Sequence, residues 1–251
     1  MERDAFLDRI TQALGDSRPQ LQAPDPAAAE TVLQPVRDRD DARRERLMAA
    51  LSTAARELNI TLRPFEGLDA AGRAVAQLAQ ERRPEWADRR EVVAWDDPLV
   101  ARLDLEKHLF AAGIGLTVTV GPTGTETADP HGRAHHRRTV RAAAHALVGV
   151  TTADFCLADT ATLVMKTRPG QARSVSLLPS IHVAVLPVDR ILSDFKELCY
   201  LLSFDEKERR EGLTNCMTLI SGPSKTADIE VVMVEGVHGP REVHIYLVEA
   251  P

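Results

Sequence analysis

Residues Ile60–Val120 read ITLRPFEGLDAAGRAVAQLAQERRPEWADRREVVAWDDPLVARLDLEKHLFAAGIGLTVTV, and the rhythm of this stretch decides the fold. Ile60-Thr61-Leu62 is a short β-prone run. Ala70–Glu81 sets Val75, Leu78 and Ala79 at helical spacing. Glu91–Trp95 is a second apolar run, closed by Asp96-Asp97-Pro98. Asp104–Ala112 reads as a short helix and Leu116–Val120 as a third strand. Strands alternating with amphipathic helices of this length argue for βαβ units, which require a parallel sheet with helices on both faces.

The same alternation extends outward. Upstream, a helix from about Asp40 to Leu58 places Leu47, Leu51, Ala55 and Leu58 on one face. Residues 15–36 carry Pro19, Pro24, Pro26 and Pro35, the composition of a linker or of an arm draped over a neighbour. Residues 1–14 form a short helix with Phe6, Ile10 and Leu14 in register. The expected organisation is therefore an N-terminal helical arm and Pro-rich linker over 1–36 and one α/β domain over 37–251. Downstream, residues 121–131 (GPTGTETADPH) are a polar loop and Arg133–Leu147 a helix. Val148–Lys166 reads as two short strands with a tight bend near Asp159-Thr160. Ser174–Leu178 and Ile181–Leu186 follow, the second a continuous buried strand. Ile191–Leu202 is a helix, 203–214 a charged connector, Met217–Ile220 a buried strand, Ile229–Val234 another, and Val243–Val248 the closing strand.

Composition narrows the function. The 251 residues are 44% hydrophobic and carry a net charge of −6, so no global basic field exists to hold nucleic acid or an anionic membrane. Cys156, Cys199 and Cys216 lie far apart in apolar runs, which reads as buried free thiols in a reducing compartment. A cluster held by this chain alone would want about four thiolates, so no iron–sulfur cofactor is expected. No apolar run approaches the ~20 residues that cross a bilayer, and MERDAFLDRI has no apolar signal core. These features lead to the expectation of a cytoplasmic protein.

The chemistry concentrates in Asn215–Gly239, NCMTLISGPSKTADIEVVMVEGVHG. Gly222 lets backbone approach a ligand and Pro223 fixes the turn. Ser221, Ser224 and Thr226 supply hydroxyls and Lys225 a cation. Amides in such a turn can converge on an oxyanion; an ordinary polar turn is the competing reading. Asp228 and Glu230 flank Ile229 and share one side of a strand, where they could orient a cation or a substrate hydroxyl, or simply face solvent. His238, beside Gly239, is the candidate general acid or base; a structural histidine bonded to a loop carbonyl competes with it. Asp154 and Asp159, with Thr160, sit inside apolar strands, where a carboxylate needs a partner. They read as a polar ligand floor or as backbone caps. His182 opens a buried strand and reads as a core residue. His131 and His135 are four apart, but His131, His135 and His136 lack a completing ligand with recognisable spacing, so no metal site is expected.

Four segments together resemble the LUD-domain family, in its lactate utilization protein C branch. They are Thr152-Ala153-Asp154-Phe155, then Ala158-Asp159-Thr160-Ala161-Thr162-Leu163, then Ser176-Leu177-Leu178-Pro179 with His182. The fourth is the pair Ser221–Glu230 and Gly236-Val237-His238-Gly239-Pro240. The resemblance runs from about residue 40 to the end and departs from the family pattern at Ala161, where the family usually carries Gly. It implies a three-layer α/β/α fold with a mainly parallel sheet, like the NagB/RpiA/CoA-transferase group. It also implies a place in a system that oxidises L-lactate to pyruvate, as a subunit without an iron–sulfur cluster, with iron–sulfur and oxidoreductase sister subunits as partners and a small carboxylate as ligand. The alternative is a stand-alone CoA-transferase-like enzyme acting on an acyl, phosphosugar or nucleotide substrate. Whether the chain self-associates stays open.

Overall fold

The structure is a computed structural model that describes residues 9, 12, 24–38, 40–84, 90–119, 133–212, 214–227, 233–236 and 238–249. Its strands are β1 (Ile60–Phe65), β2 (Glu91–Trp95), β3 (Gly115–Thr119), β4 (Val148–Thr152), β5 (Phe155–Leu157), β6 (Thr162–Lys166), β7 (Ile181–Pro187), β8 (Ile191–Leu192), β9 (Met217–Ile220), β10 (Lys225–Ala227), β11 (Met233–Glu235) and β12 (Glu242–Val248). Its helices are α1 (Ala29–Asp38), α2 (Asp41–Glu57), α3 (Leu68–Glu81), α4 (Pro98–Ala101), α5 (Leu105–Ala111), α6 (Arg133–His145), α7 (Ser174–Leu177), α8 (Phe195–Phe204) and α9 (Glu206–Glu211).

Six strands form one sheet in the order β1-β12-β7-β4-β2-β3, and every neighbouring pair is parallel. The central strands β7 and β12 are buried along nearly their whole length, as a parallel sheet with both faces covered demands. On one face, Ala71, Val75 and Leu78 of α3 and Leu105 and Leu109 of α5 pack against Val92, Val150, Val183 and Tyr246. On the other, Leu51 and Ala55 of α2, Ala143 of α6 and Val175 of α7 pack against Val93, Ala184, Ile245 and Leu247. Close contact of α7 with the sheet depends on Gly149 in β4. A Cβ there would meet the Val175 carbonyl oxygen at 1.9 Å.

A second sheet, in the order β8-β5-β6-β9, lies over the α2 face, with β5–β6 and β6–β9 antiparallel and β5–β8 parallel. Its inner side chains, Cys156, Leu163 and Met165, join the core of the main sheet. Its outer ones, Phe155, Leu157, Val164 and Leu192, are covered by Leu33 and Val36 of α1 and Leu198 and Leu201 of α8.

Several local expectations change. The Pro-rich stretch is helix from Ala29 on, with Pro35 inside it, and Leu33 and Val36 are buried; the boundary expected after residue 36 falls within this helix. Helix α8 starts at Phe195, because Asp194 caps it by accepting the Glu197 N–H at 2.8 Å, and Ile191–Leu192 instead pairs with β5. Ser174–Leu177 is a helical turn and the connector after 203 contains α9. Strand β9 is an edge strand of the second sheet and only half-buried, with Leu219 46% exposed. The 121–131 loop lies outside the described residues, and no described helix is long and apolar enough to cross a membrane.

Candidate functional site

The motif turn Ala158–Leu163 and the Ser221 loop meet through hydroxyls. Strand β6 pairs with β9 so that Leu163 faces Ile220. That register brings the Thr162 Oγ1 to 2.7 Å from the Ser221 Oγ. Thr162 also donates to Thr160 Oγ1 at 2.9 Å, and Thr160 donates to Asp159 Oδ1 at 3.0 Å. A chain of hydroxyls thus runs from an exposed carboxylate to an exposed serine. Ala161, between Thr160 and Thr162, adopts a left-handed φ of 45° and is fully buried.

Three residues further on, Ser224 ties the second motif pair together. Its N–H donates to the Pro240 carbonyl at 2.8 Å, its carbonyl accepts the Gly236 N–H at 3.0 Å, and its Oγ accepts the His238 N–H at 3.3 Å. Gly239 packs closely on this serine: a Cβ there would stand 3.3 Å from the Ser224 Cβ, a tight contact. Gly222 has φ +104° and passes over the Leu58 carbonyl and the Ile60 side chain. Lys225 pairs with Glu235 across the β10–β11 hairpin, to which Thr226 contributes backbone. Lys225 and His238 are exposed.

Open parallel sheets bind ligands outside the carboxyl ends of their strands, so the sequence leads one to expect the Ser221 loop, the His238 turn, Asp154 and Asp159 to gather there. The placement differs in two respects. The Ser221 and His238 loops lie at the amino edge of the parallel sheet, beside the starts of β1 and β12, and not outside the carboxyl ends. The physical reason is that β9 belongs to the antiparallel sheet, so the loop after it points the other way. Asp154 is not brought to these loops. It sits at the other end of the β5–β6 hairpin, where its carboxylate accepts the Lys166 N–H at 2.6 Å and pairs with Arg168 at 2.6 Å. Asp228, Glu230 and His131 lie outside the described residues; among those described, no group of three or more His, Cys, Asp and Glu could hold a metal.

Sequence reasoning missed the residues that organise both edges. Thr162 is the pivot of the hydroxyl chain, and its alternation with Thr160 across Ala161 was the available signal. At the carboxyl edge, Asp97 accepts from Thr152 Oγ1 at 3.2 Å and Gln171 Nε2 at 2.9 Å while capping α4. This cluster lies at the carboxyl ends of β2 and β4, where the chain departs in opposite directions, the usual ligand position of open α/β sheets. Nearby, Lys166 is buried between Glu208 and Glu211, and Arg168 bridges Asp154 and Glu211. Burial, then the Asp159 charge, pushes the Cys156 thiol up to about 12, so it is an inert packing group.

The LUD domain model matches residues 47–248, which covers both sheets and both motif pairs. The chain belongs to the LUD-domain family. Among LUD relatives, a lactate utilization protein C of Halalkalibacterium halodurans is 28% identical over 98% of this chain and 97% of its own length. A lactate utilization protein C of Shouchella clausii is 27% identical over 95% and 93%. A DUF162 family protein of Deinococcus radiodurans shares the fold, with a TM-score of 0.52 and 17% identity over 82% of this chain and 98% of that one. In this LUD chain the mainly parallel α/β/α architecture is as the motifs implied.

Proposed function

We propose that this protein works in lactate utilization, as a subunit of the L-lactate-oxidising system that has no iron–sulfur cluster of its own and relies on sister proteins for redox chemistry. The observation that carries the reading is the end-to-end correspondence with relatives called lactate utilization protein C. In this reading a small carboxylate is held at the amino edge. The Ser221-Gly222 amides and Lys225 take its charge, the hydroxyls of Thr160, Ser221 and Ser224 surround it with Asp159 behind them, and His238 or Asp228 handles a proton or hydroxyl. The stand-alone CoA-transferase-like reading rests on fold alone, and fold does not fix function.

The test is complementation. In a host lacking its own lactate utilization protein C, this chain restores growth on L-lactate and co-purifies with iron–sulfur subunits. His238→Ala and Lys225→Ala, both at exposed positions, leave the melting temperature unchanged and abolish that growth. A soluble wild-type chain that restores no growth removes the lactate reading; full growth of both variants removes the carboxylate site while leaving the subunit role.

A further inference from the structure

A cavity of about 240 Å³ lies at the edge of the sheet opposite the Ser221 loop, just beyond the carboxyl ends of β7 and β12. Its apolar lining comes from Leu47 of α2, Val188 after β7 and Ile191 of β8. Four charged residues complete it: Arg43 and Arg44 from the first turn of α2, Asp189, and Glu249 just after β12.

The two arginines are held differently. Arg43 Nη2 donates to both carboxylate oxygens of Glu197 at 2.7 Å, and Glu197 is itself fixed by the Ser193 N–H at 2.8 Å. Its guanidinium is therefore a positioned cation, and its Nε is buried with no acceptor. Arg44 pairs with Glu249, but both are well exposed. An ion pair of that kind contributes little and opens readily.

Size and charge then define the ligand. A hollow of about 240 Å³ lined by three apolar and four charged side chains suits a small ligand with both an apolar and a charged part. The lining holds two guanidinia and two carboxylates, with the Glu197 carboxylate behind Arg43, so a bare anion is attracted by Arg43 and Arg44 but repelled by Asp189, Glu249 and Glu197. A molecule carrying both charges satisfies both pairs, and an apolar substituent takes the floor. We propose that this cavity binds a small zwitterion, an α-amino acid with a short apolar side chain. Its carboxylate meets Arg43 and Arg44, its ammonium meets Asp189 and Glu249, and its side chain packs on Leu47, Val188 and Ile191. This assignment does not rest on the lactate reading, because it uses a different edge of the sheet and different residues.

The experiment is calorimetric or NMR titration of the full chain with L-valine, isobutyrate and isobutylamine. L-valine is expected to bind with a dissociation constant of about 1 mM or tighter, and each analogue, lacking one charge, about tenfold more weakly. Arg44→Ala and Asp189→Asn should each weaken L-valine at least about fivefold with the melting temperature unchanged, and Leu47→Phe should abolish binding by filling the floor. Isobutyrate binding as tightly as L-valine overturns the zwitterion assignment. So does L-valine binding that survives all three variants, or no L-valine binding at about ten times that concentration.

Discussion

Thr162 and Ser221 are 59 residues apart in the chain, and their hydroxyls stand 2.7 Å from each other where β6 pairs with β9. This one contact joins the two family motifs. A hydroxyl pair of this kind contributes about 0.5–1.5 kcal/mol net. A double-mutant cycle of Thr162→Val and Ser221→Ala, read by urea unfolding, should return a coupling energy in that range. A coupling within error of zero would show that the motifs are adjacent without being energetically joined.

Ala161 occupies a left-handed position with no exposed surface. Its backbone costs roughly 1–2 kcal/mol relative to a residue free to adopt that φ. Ala161→Gly relieves that strain but loses a buried methyl worth about 0.8 kcal/mol and adds unfolded-state entropy. The opposing effects nearly cancel, so Ala161→Gly is expected to change stability by less than about 1 kcal/mol. Ala161→Val must destabilise by more than about 2 kcal/mol, since a β-branched residue enters both a forbidden φ and a filled core. Chemical unfolding of the two variants side by side checks the asymmetry.

Lys166 is 2% exposed and lies between Glu208 and Glu211, while Arg168 spans Asp154 and Glu211. Removing one member leaves buried charge unpaired. Lys166→Met should therefore cost about 3 kcal/mol or more at neutral pH, and adding Glu208→Leu should restore much of it. The acid side follows from Glu211. Burial pushes its carboxyl up, but hydrogen bonds from Arg168 and Lys166 outweigh this and hold it below the usual value of 4.5. Its contribution is present above pH 4.5 and is lost as pH falls through the lowered value. The raised Lys166 keeps its contribution below its ordinary 10.5 and loses it only in strong alkali.

The parallel core was legible because its signals are local: 3.6-residue and two-residue periodicities in Ile60–Val120 mark the strands and helices without knowledge of partners. The second sheet was not. Ile191–Leu192 is too short to show a period, and its strand character comes only from pairing with Cys156 and Leu157. Pro35 disguised α1, whose helical state is fixed by burying Leu33 and Val36 against Phe155 and Leu198. The candidate site was legible as motifs, but its edge of the sheet was not. The direction of β9 depends on its antiparallel pairing with β6, and no local pattern in Met217–Ile220 encodes a partner's direction. The same limit separated Asp154 from Asp159. Both are acids in one apolar segment, and only the hairpin turn at 158–161 sends them to opposite ends.

His182 offers a test of the buried interior that is independent of function. It lies in β7 with no exposed surface, and its Nε2 is 2.8 Å from Thr151 Oγ1. Its Nδ1 has no partner. Burial, with a smaller push from the His244 charge, lowers its pKa from 6.5 to about 3. The unfolded chain takes up a proton here below pH 6.5 that the folded chain refuses until near pH 3. Stability attributable to His182 is thus constant above pH 6.5 and falls as pH drops through that window, with a slope approaching about 1.4 kcal/mol per pH unit. His182→Gln keeps a neutral partner for Thr151 and removes the titration. The wild-type minus variant difference in unfolding free energy should be flat above pH 6.5 and decline below it. A difference that stays flat between pH 6.5 and 4.5 would mean that His182 protonates in the folded protein, and that water reaches its Nδ1.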